Sequence, residues 1–158
     1  MLRNIFPVVL SLLCLTFLTE AVSYDQCKDA KDNHSIRLLT ISNCESAPCP
    51  LKRQTSVMVE EIFVAKKNVK SLTTSVFAKV AAFWLPFVSV HNKNACDNIY
   101  NMDNSIAGCP LKAGTEYKYR NEFPILSIYP TLTLPVQWAL KDKNEIITCF
   151  QVYVKITN

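Results

Sequence analysis

Glycine and histidine are both scarce in this 158-residue chain, which contains two of each. His34 and His91 lie in polar loop contexts and leave little material for a His-based catalytic triad. The chain also lacks the GxSxG nucleophile elbow, the HExxH zinc motif, the P-loop and the GxGxxG dinucleotide loop. We therefore expect neither an enzyme nor a cofactor-binding protein. With so few glycines, we expect Gly114 to mark a turn with positive φ.

Long apolar segments are also missing beyond the N-terminus. Residues 5–18 form an apolar run of about 14 residues, which is too short to span a bilayer comfortably. Arg3 precedes this run, and the small residues of 21–23 follow it, as at a signal-peptidase site. We predict that residues 1–23 are a signal peptide and that 24–158 form one mature, secreted domain. The alternative is a signal anchor that stays attached.

Seven cysteines are present, and Cys14 falls inside the predicted signal peptide. The other six are an even number, which predicts three disulfides in a secreted chain. Six cysteines allow 15 pairings, and the sequence alone does not choose among them. No histidine lies near a cysteine at the spacing of zinc ligands, so we expect no metal. Local spacing makes one set plausible: Cys44–Cys49, Cys96–Cys109 and, by remainder, Cys27–Cys149.

The charge of the chain is mildly basic, with a formal net charge of +4. This value suits an anionic membrane surface but is far from a nucleic-acid-binding signature, and we expect no nucleic-acid partner. One glycosylation sequon, Asn33-His34-Ser35, lies in a polar stretch, and Asn33 is the predicted site of an N-glycan.

Apolar and polar residues alternate with a period of two in most of the chain. This alternation is typical of β-strands, and KDKN at 141–144 is typical of a hairpin turn. In the C-terminal segment, residues 145–157, the alternation places Ile146, Phe150 and Val154 on one face. The pattern predicts an all-β fold, an antiparallel two-sheet sandwich of about seven strands. The seven segments are 35–41, 56–64, 74–84, 86–90, 115–123, 131–141 and 145–157.

The inward-facing residues of such a sandwich allow two interpretations. They either pack an ordinary core or line a cavity between the sheets. A cavity requires sheets that can separate. The plausible disulfides permit this, because none of them needs to cross the middle of the sandwich as the immunoglobulin bridge does.

A series of short motifs runs through the C-terminal half. It reads Cys-Pro-Leu, Tyr-x-Tyr, Pro-Ile, Tyr-Pro, Trp-x-Leu and Cys-Phe, and it is preceded upstream by NCESAPCPL and LPFVSV. Together these motifs resemble the Niemann-Pick type C2 family of ML (lipid-recognition) domains, which includes the group 2 mite allergens. The likeness covers residues 27–156. The motif residues are Cys109–Leu111, Tyr117, Tyr119, Pro124–Ile125, Tyr129–Pro130, Trp138, Leu140 and Cys149–Phe150.

The resemblance implies an immunoglobulin-like two-sheet fold with a hydrophobic pocket for a sterol, a fatty acid or a similar lipid. It implies the same three disulfides that local spacing favours. It also implies that Phe87, Ile125 and Tyr129 guard the entrance, where the Tyr129 hydroxyl can accept a polar head. Inward strand positions make four further residues the expected lining, with ordinary core packing as the alternative: Val59, Phe63, Trp138 and Phe150.

Three features depart from the family pattern. Glu61 stands where an inward apolar residue is common. We expect a bulge to expose it, and the alternative is a carboxylate that enters the pocket. The loop between Cys96 and Cys109 is longer than in vertebrate sterol carriers and is more like that of arthropod members. Trp84 is bulkier than expected, and we expect it to narrow the pocket.

The function expected from these observations is that of a secreted lipid carrier that binds and transports a sterol or a fatty acid. It acts as a monomer that contacts a membrane or a receptor transiently. Two alternatives stay open, an innate-immune accessory protein that recognises microbial lipids and a chemosensory carrier of semiochemicals. The site of action is the extracellular fluid or, alternatively, the endosomal or lysosomal lumen.

Overall fold

Residues 21–28 and 35–158 are described by the structure, a computed structural model. Asn33 and most of the predicted signal peptide lie outside these residues. Just before the predicted mature N-terminus, Val22 is buried, and its N–H donates a 3.0 Å hydrogen bond to the Leu39 carbonyl. Cleavage after Ser23 remains a prediction.

Ten strands and a single 3₁₀ turn, Cys96–Asn98, make up the secondary structure of the described residues. The fold is all-β, as predicted. The strands are β1 (Asp25–Gln26), β2 (Ile36–Ile41), β3 (Cys49–Lys52), β4 (Ser56–Val64), β5 (Thr73–Val80), β6 (Phe83–Pro86), β7 (Ile99–Tyr100), β8 (Glu116–Pro124), β9 (Thr133–Asp142) and β10 (Glu145–Thr157).

The strands form two sheets that pack face to face. The first sheet has six strands in the order β1-β10-β9-β5-β6, with β3 paired in parallel to β10. The second sheet has four strands in the order β2-β4-β8-β7. All other strand pairs are antiparallel. The β9–β10 hairpin turns at Lys143 and Asn144, as the sequence predicts. Alternate residues of β4, β9 and β10 point into the space between the sheets and form the core.

Two predicted strands differ from those observed. The segment 74–84 is a hairpin rather than one strand, because the chain turns at Ala81, whose φ is 53°. The segment 86–90 is a turn in which the N–H groups of Val90 and His91 both donate to the Phe87 carbonyl. Gly114 has the expected positive φ, 77°.

Glu61 is buried, and the predicted bulge that would expose it is wrong. β4 pairs with β8 without a break in register, so Glu61 keeps its inward position between Val59 and Phe63. The irregularity lies instead in the neighbouring edge strand β2, between Ile36 and Leu38. An edge strand absorbs an extra residue more readily than a central strand that is hydrogen-bonded on both sides.

A second bulge lies in β10, between Ile146 and Thr148. It moves Ile146 away from the inter-sheet face, where the alternation had placed it, and packs it against Cys149 on the other face. Thr148, two residues before Phe150, keeps the inward position that the alternation gives it and is fully buried.

Three disulfides staple the sandwich: Cys27–Cys149, Cys44–Cys49 and Cys96–Cys109. These are the pairs that local spacing favours. The first joins residues 122 apart in sequence and fixes the N-terminal strand to β10. The other two close local loops over separations of 5 and 13 residues.

Candidate functional site

An apolar cavity of about 20 Å³ lies between the two sheets. Both sheets contribute side chains to its wall, and every lining residue is apolar. The volume is enough for about one water molecule, although apolar cavities of this kind generally stay dry. The lining residues are Ile41, Leu51, Val57, Val59, Val76, Phe87, Phe123, Val136, Trp138, Phe150, Val152 and Val154.

Four of the seven predicted site residues line this cavity: Val59, Phe87, Trp138 and Phe150. The other three are not among the lining residues. Phe63 lies beyond Glu61 on β4, where it is fully buried and packs against Tyr117 with ring centroids 6.3 Å apart. Ile125 and Tyr129 lie on the loop that follows β8.

Phe87 lines the cavity and Tyr129 packs against it, and we call the region around this pair, where the entrance is expected, the mouth. Their ring centroids are 4.7 Å apart. The Tyr129 hydroxyl accepts a 3.2 Å hydrogen bond from the Ser89 N–H and donates a 3.1 Å bond to Ser89 Oγ. Val88 and Ile128, the chain neighbours of this aromatic pair, are 61% and 76% exposed. The mouth is therefore closed by an aromatic pair and flanked by exposed apolar side chains.

The loop that carries Tyr129 is fixed from the β3–β4 turn. The Arg53 guanidinium donates to the Ser127 and Tyr129 carbonyls at 3.1 and 3.3 Å. Ile125 is almost fully buried, and its N–H donates a 2.9 Å bond to the Thr55 carbonyl. Ile125 thus anchors the base of the mouth loop.

Aromatic side chains surround Trp138, which lines the cavity. Its ring is stacked on Phe150 with centroids 6.3 Å apart and an interplanar angle of 5°. Phe123 and Tyr119 contact the same indole at 5.3 and 6.3 Å. Aromatic walls supply a large apolar area and lose little rotamer entropy on contact with a ligand.

A polar group lies within this apolar interior. Oε1 of Glu61 accepts a 2.7 Å hydrogen bond from the Thr148 hydroxyl, and both residues are fully buried. Burial raises the pKa of Glu61 to about 7, and the hydrogen bond from Thr148 works in the opposite direction. Burial, and then the charge of Glu61, raise the pKa of Tyr119 as well.

Sequence reasoning missed eight of the lining residues. Val57, Val136 and Phe123 follow the inward alternation of their strands, so the sequence pattern could have identified them as lining residues. Leu51 could not be identified in this way, because it belongs to a four-residue strand whose parallel partner is about 100 residues away in the chain. The complete set of missed residues is Ile41, Leu51, Val57, Val76, Phe123, Val136, Val152 and Val154.

Trp84 does not narrow the cavity, contrary to expectation. It lies on the outer face of the first sheet, with Lys79 Nζ 5.9 Å from the centre of its ring. There it lines a polar groove of about 430 Å³ together with Lys28 and Tyr153. The hairpin at Ala81 carries β6 to the edge of the sheet, so that Trp84 faces away from the interior.

In residues 21–28 and 35–158, no cluster of His, Cys, Asp and Glu side chains is placed to hold a metal ion. No helix in those ranges has the length and apolar character of a membrane span.

The model of the ML domain family matches residues 21–156 of this chain. The chain belongs to the ML domain family. The ecdysteroid-regulated 16 kDa protein of Manduca sexta is 31% identical over 108 residues, which cover 68% of this chain and 70% of that protein. The NPC intracellular cholesterol transporter 2 homolog a of Drosophila melanogaster is 28% identical over 151 residues, which cover 94% and 96%.

A solved structure shares the architecture of this ML domain. The crystal structure of a Niemann-Pick type C2 protein from the Japanese carpenter ant superposes with a TM-score of 0.70 at 24% identity. The match covers 85% of this chain and 99% of the ant protein. It shows that the two chains share the two-sheet sandwich fold.

Proposed function

We propose that this ML domain is a secreted carrier that holds a sterol, a fatty acid or a related hydrophobic ligand between its two sheets. The observation that carries the proposal is the wholly apolar lining of the inter-sheet cavity. Membership of a lipid-recognition family supports it, as does likeness to a Drosophila protein named as a cholesterol transporter homolog. Phe87 and Tyr129 act as the gate, and Val59, Trp138 and Phe150 contact the ligand.

Binding requires the cavity to expand. Pockets for small molecules measure about 300–1,000 Å³, whereas this cavity measures about 20 Å³. The disulfides permit expansion. Cys27–Cys149 lies within the first sheet, and the other two bridges are local. We infer that the ligand enters at the mouth and separates the sheets as it advances.

The free energy of burial suffices for useful affinity. A lipid that buries about 300 Å² of apolar surface gains about 7 kcal/mol before ordering costs. That gain corresponds to dissociation constants in about the micromolar range. Opening the sheets reduces the net gain, whereas contacts with the aromatic side chains around Trp138 add to it.

Delivery of the ligand involves transient contact with a membrane or a receptor. Val88 and Ile128 flank the mouth, and Phe83 is 71% exposed on the neighbouring β5–β6 hairpin. Exposed apolar residues around an entrance can contact a membrane or an apolar receptor surface, so that the ligand passes directly from the mouth to that surface. The formal net charge of +4 favours an anionic membrane. The carrier works in the extracellular fluid or in the endosomal or lysosomal lumen.

Native mass spectrometry of the purified protein, followed by extraction of bound lipid, tests the proposal. We expect a co-purifying lipid, and we expect a sterol or a long-chain fatty acid to displace a fluorescent probe from the cavity. If no lipid is recovered and neither ligand displaces the probe below ~100 µM, the carrier function fails.

A further inference from the structure

The polar groove on the outer face of the first sheet, which we call the outer groove, has a volume of about 430 Å³. This volume is within the usual range of ligand sites. None of its lining residues lines the inter-sheet cavity, so the two spaces are separate. Six of the lining residues are polar or aromatic: Lys28, Lys79, Trp84, Gln137, Gln151 and Tyr153.

Two aromatic rings border the outer groove. Trp84 and Tyr153 are 40% and 48% exposed, although side chains of this size are highly buried on average. Trp84 lies on β6 and Tyr153 on β10, with β9 and β5 between these strands. Three strand spacings of about 4.8 Å therefore separate the two positions, a distance of about 14 Å across the sheet. The two rings are placed to contact successive units of a chain-like ligand.

Amide side chains lie on the floor of the outer groove. Gln137 and Gln151 are direct partners in the β9–β10 ladder, so both side chains project from the same face. Nε2 of Gln137 lies 3.6 Å from the Cys149 sulfur, a weak acceptor, and the amide stays available to a ligand. Each amide group has both donors and an acceptor. Side by side, the two amides can bind neighbouring hydroxyl groups of one ligand.

Two lysines also line the outer groove. Lys79 is the register partner of Trp84, and its Nζ lies 5.9 Å from the centre of the indole ring. Lys28 follows Cys27, whose disulfide fixes it to β10. Neither lysine forms an ion pair with a carboxylate in residues 21–28 and 35–158. Both ammonium groups can therefore pair with an anionic ligand.

The outer face of the first sheet is basic as a whole. Asp25, opposite Gln151 in the β1–β10 ladder, is the acidic residue among the outward positions of the described strands of this sheet. The lysines on this side are Lys28, Lys52, Lys79, Lys141 and Lys155. The excess of positive charge favours a negatively charged ligand.

We propose that the outer groove binds an acidic oligosaccharide, a short chain of carboxylated or sulfated pyranose rings. Trp84 and Tyr153 stack against the C–H faces of the sugar rings. The two glutamine amides bind the hydroxyl groups, and Lys28 and Lys79 pair with the carboxylate or sulfate groups. Because the Lys79 ammonium lies over Trp84, an anionic group bound there brings its own sugar ring against the indole.

The chemistry of the outer groove fits other anions less well. Phosphate groups of nucleotides and phosphopeptides are best matched by the forked donors of arginine, and no lining residue is an arginine. Binding to a lipid surface requires apolar side chains that enter the bilayer. The outer groove is concave instead, with amides on its floor. This inference is independent of the proposed carrier function, because the outer groove does not communicate with the cavity.

Isothermal titration calorimetry with a heparin hexasaccharide tests the proposal. This probe carries both carboxylate and sulfate groups, and the neutral hexasaccharide cellohexaose is the comparison. We expect the wild type to bind the acidic probe at least about tenfold more tightly, because the neutral one lacks the charge-assisted bonds to the lysines.

The aromatic contribution is tested by truncation of each ring. Trp84→Ala and Tyr153→Ala should each lower the affinity for the heparin hexasaccharide about threefold to tenfold. Phe83→Ala is the matched control. Phe83 precedes Trp84 on β6 and is 71% exposed, but it projects from the opposite face of the strand. Its affinity should equal that of the wild type.

The lysine contribution is tested by removal of one charge. Lys79→Gln should lower the affinity about threefold at low salt. Lys112→Gln makes the same change of net charge in the loop before β8 of the other sheet and should bind normally. At about 1 M NaCl, where charges are screened beyond about 3 Å, the effect of Lys79→Gln should vanish and that of Trp84→Ala should remain.

Tryptophan fluorescence locates the bound probe. The chain has two tryptophans, and Trp138 is buried whereas Trp84 is exposed. The heparin hexasaccharide should therefore protect the emission of the wild type from quenching by acrylamide. Trp84→Phe keeps an aromatic ring and should still bind, but this protection should be lost.

Equal losses in Lys79→Gln and Lys112→Gln, or no protection of Trp84, would mean attraction by net charge alone and would overturn the proposal. Absence of hexasaccharide binding, with binding to phosphatidylcholine–phosphatidylglycerol vesicles that Trp84→Ala abolishes, would assign the outer groove to a membrane instead. Displacement of a fluorescent lipid probe from the cavity should be unchanged in Trp84→Ala. Failure of the oligosaccharide site thus leaves the carrier function standing.

Discussion

The Thr148 hydroxyl donates a 2.7 Å hydrogen bond to Oε1 of Glu61 and thereby joins β10 of one sheet to β4 of the other. Both side chains are fully buried. This bond satisfies one oxygen of the carboxyl group and leaves the other unpaired within the described residues. The interior of the sandwich therefore contains an acid that favours its neutral form, and several measurable properties follow from it.

The stability of the fold should fall as the pH rises from about 4.5 to about 7. These values are the ordinary pKa of Glu and the raised pKa of Glu61, so the folded state binds the proton more tightly in this interval. The loss contributed by this group is about 3 kcal/mol. Tyr24 and Tyr119, the titratable groups that the charge of Glu61 affects, both have raised pKa values and stay neutral throughout.

Urea unfolding of the wild type and Glu61→Gln across this pH interval measures the effect. The variant should gain stability over the wild type as the pH rises, and the difference should level off above about pH 7. Glu60→Gln should show no such trend. A pH-independent difference between the wild type and Glu61→Gln would show that Glu61 titrates normally.

Removal of the Tyr119 hydroxyl should not harm the fold. Since this group is buried without a partner in the described structure, Tyr119→Phe should be neutral or stabilising by about 1 kcal/mol. Tyr117→Phe is the contrasting variant on the same strand. The Tyr117 hydroxyl accepts a 3.0 Å bond from the Lys112 N–H, and its loss should cost about 1 kcal/mol. Thermal unfolding compares the two, and equal effects would contradict this account.

Mutations at the mouth should weaken ligand uptake. Phe87→Ala removes a cavity wall, and Tyr129→Ala removes its ring partner. We expect each to lower affinity about tenfold, through the loss of roughly 1.4 kcal/mol of apolar contact. The assay is displacement of a fluorescent probe.

Phe87→Leu keeps most of the buried volume, so it tests the same contact if Phe87→Ala fails to fold. Val88→Ala, a change at the exposed neighbour, is the control and should bind normally. Unchanged affinity in both Phe87→Ala and Tyr129→Ala would remove them from the site.

The three disulfides should contribute unequally to stability. In the chain-entropy description, Cys27–Cys149 closes a loop of 122 residues and is worth about 5 kcal/mol. Cys44–Cys49 closes a loop of 5 residues and is worth about 2 kcal/mol. Paired Cys→Ala variants measured by urea unfolding should therefore differ by about 3 kcal/mol. Equal losses would mean that local packing, rather than loop length, sets the contribution.

The sequence predicted those parts of the fold that depend on local alternation. Strands β4, β8, β9 and β10 begin and end within about two residues of the predicted bounds, because each has a sustained period of two. The β5–β6 hairpin escaped prediction because its turn, at Ala81, has none of the usual Gly, Asn or Pro signals. Apolar residues continue on both sides of that turn, so the segment reads as one strand.

The candidate site was predictable to a smaller extent. Alternation alone places Glu61 on the same face as Val59 and Phe63, and only the improbability of a buried carboxylate argued for a bulge. The partner that makes burial tolerable, Thr148, is 87 residues away in the chain and lies on the same inward face of β10 as Phe150. Such long-range pairing and the volume of the cavity depend on the packing of the whole sandwich, which no local pattern encodes.

The parallel pairing of β3 with β10 has a consequence for self-association. The long C-terminal strand pairs with β9 along one side, while β1 and β3 cover parts of its other side at residues 150–151 and 154–157. The backbone groups that could add a strand from a second molecule are thus occupied within the same chain along much of that side. This arrangement protects the longest strand from cross-chain β-sheet polymerisation along much of its length.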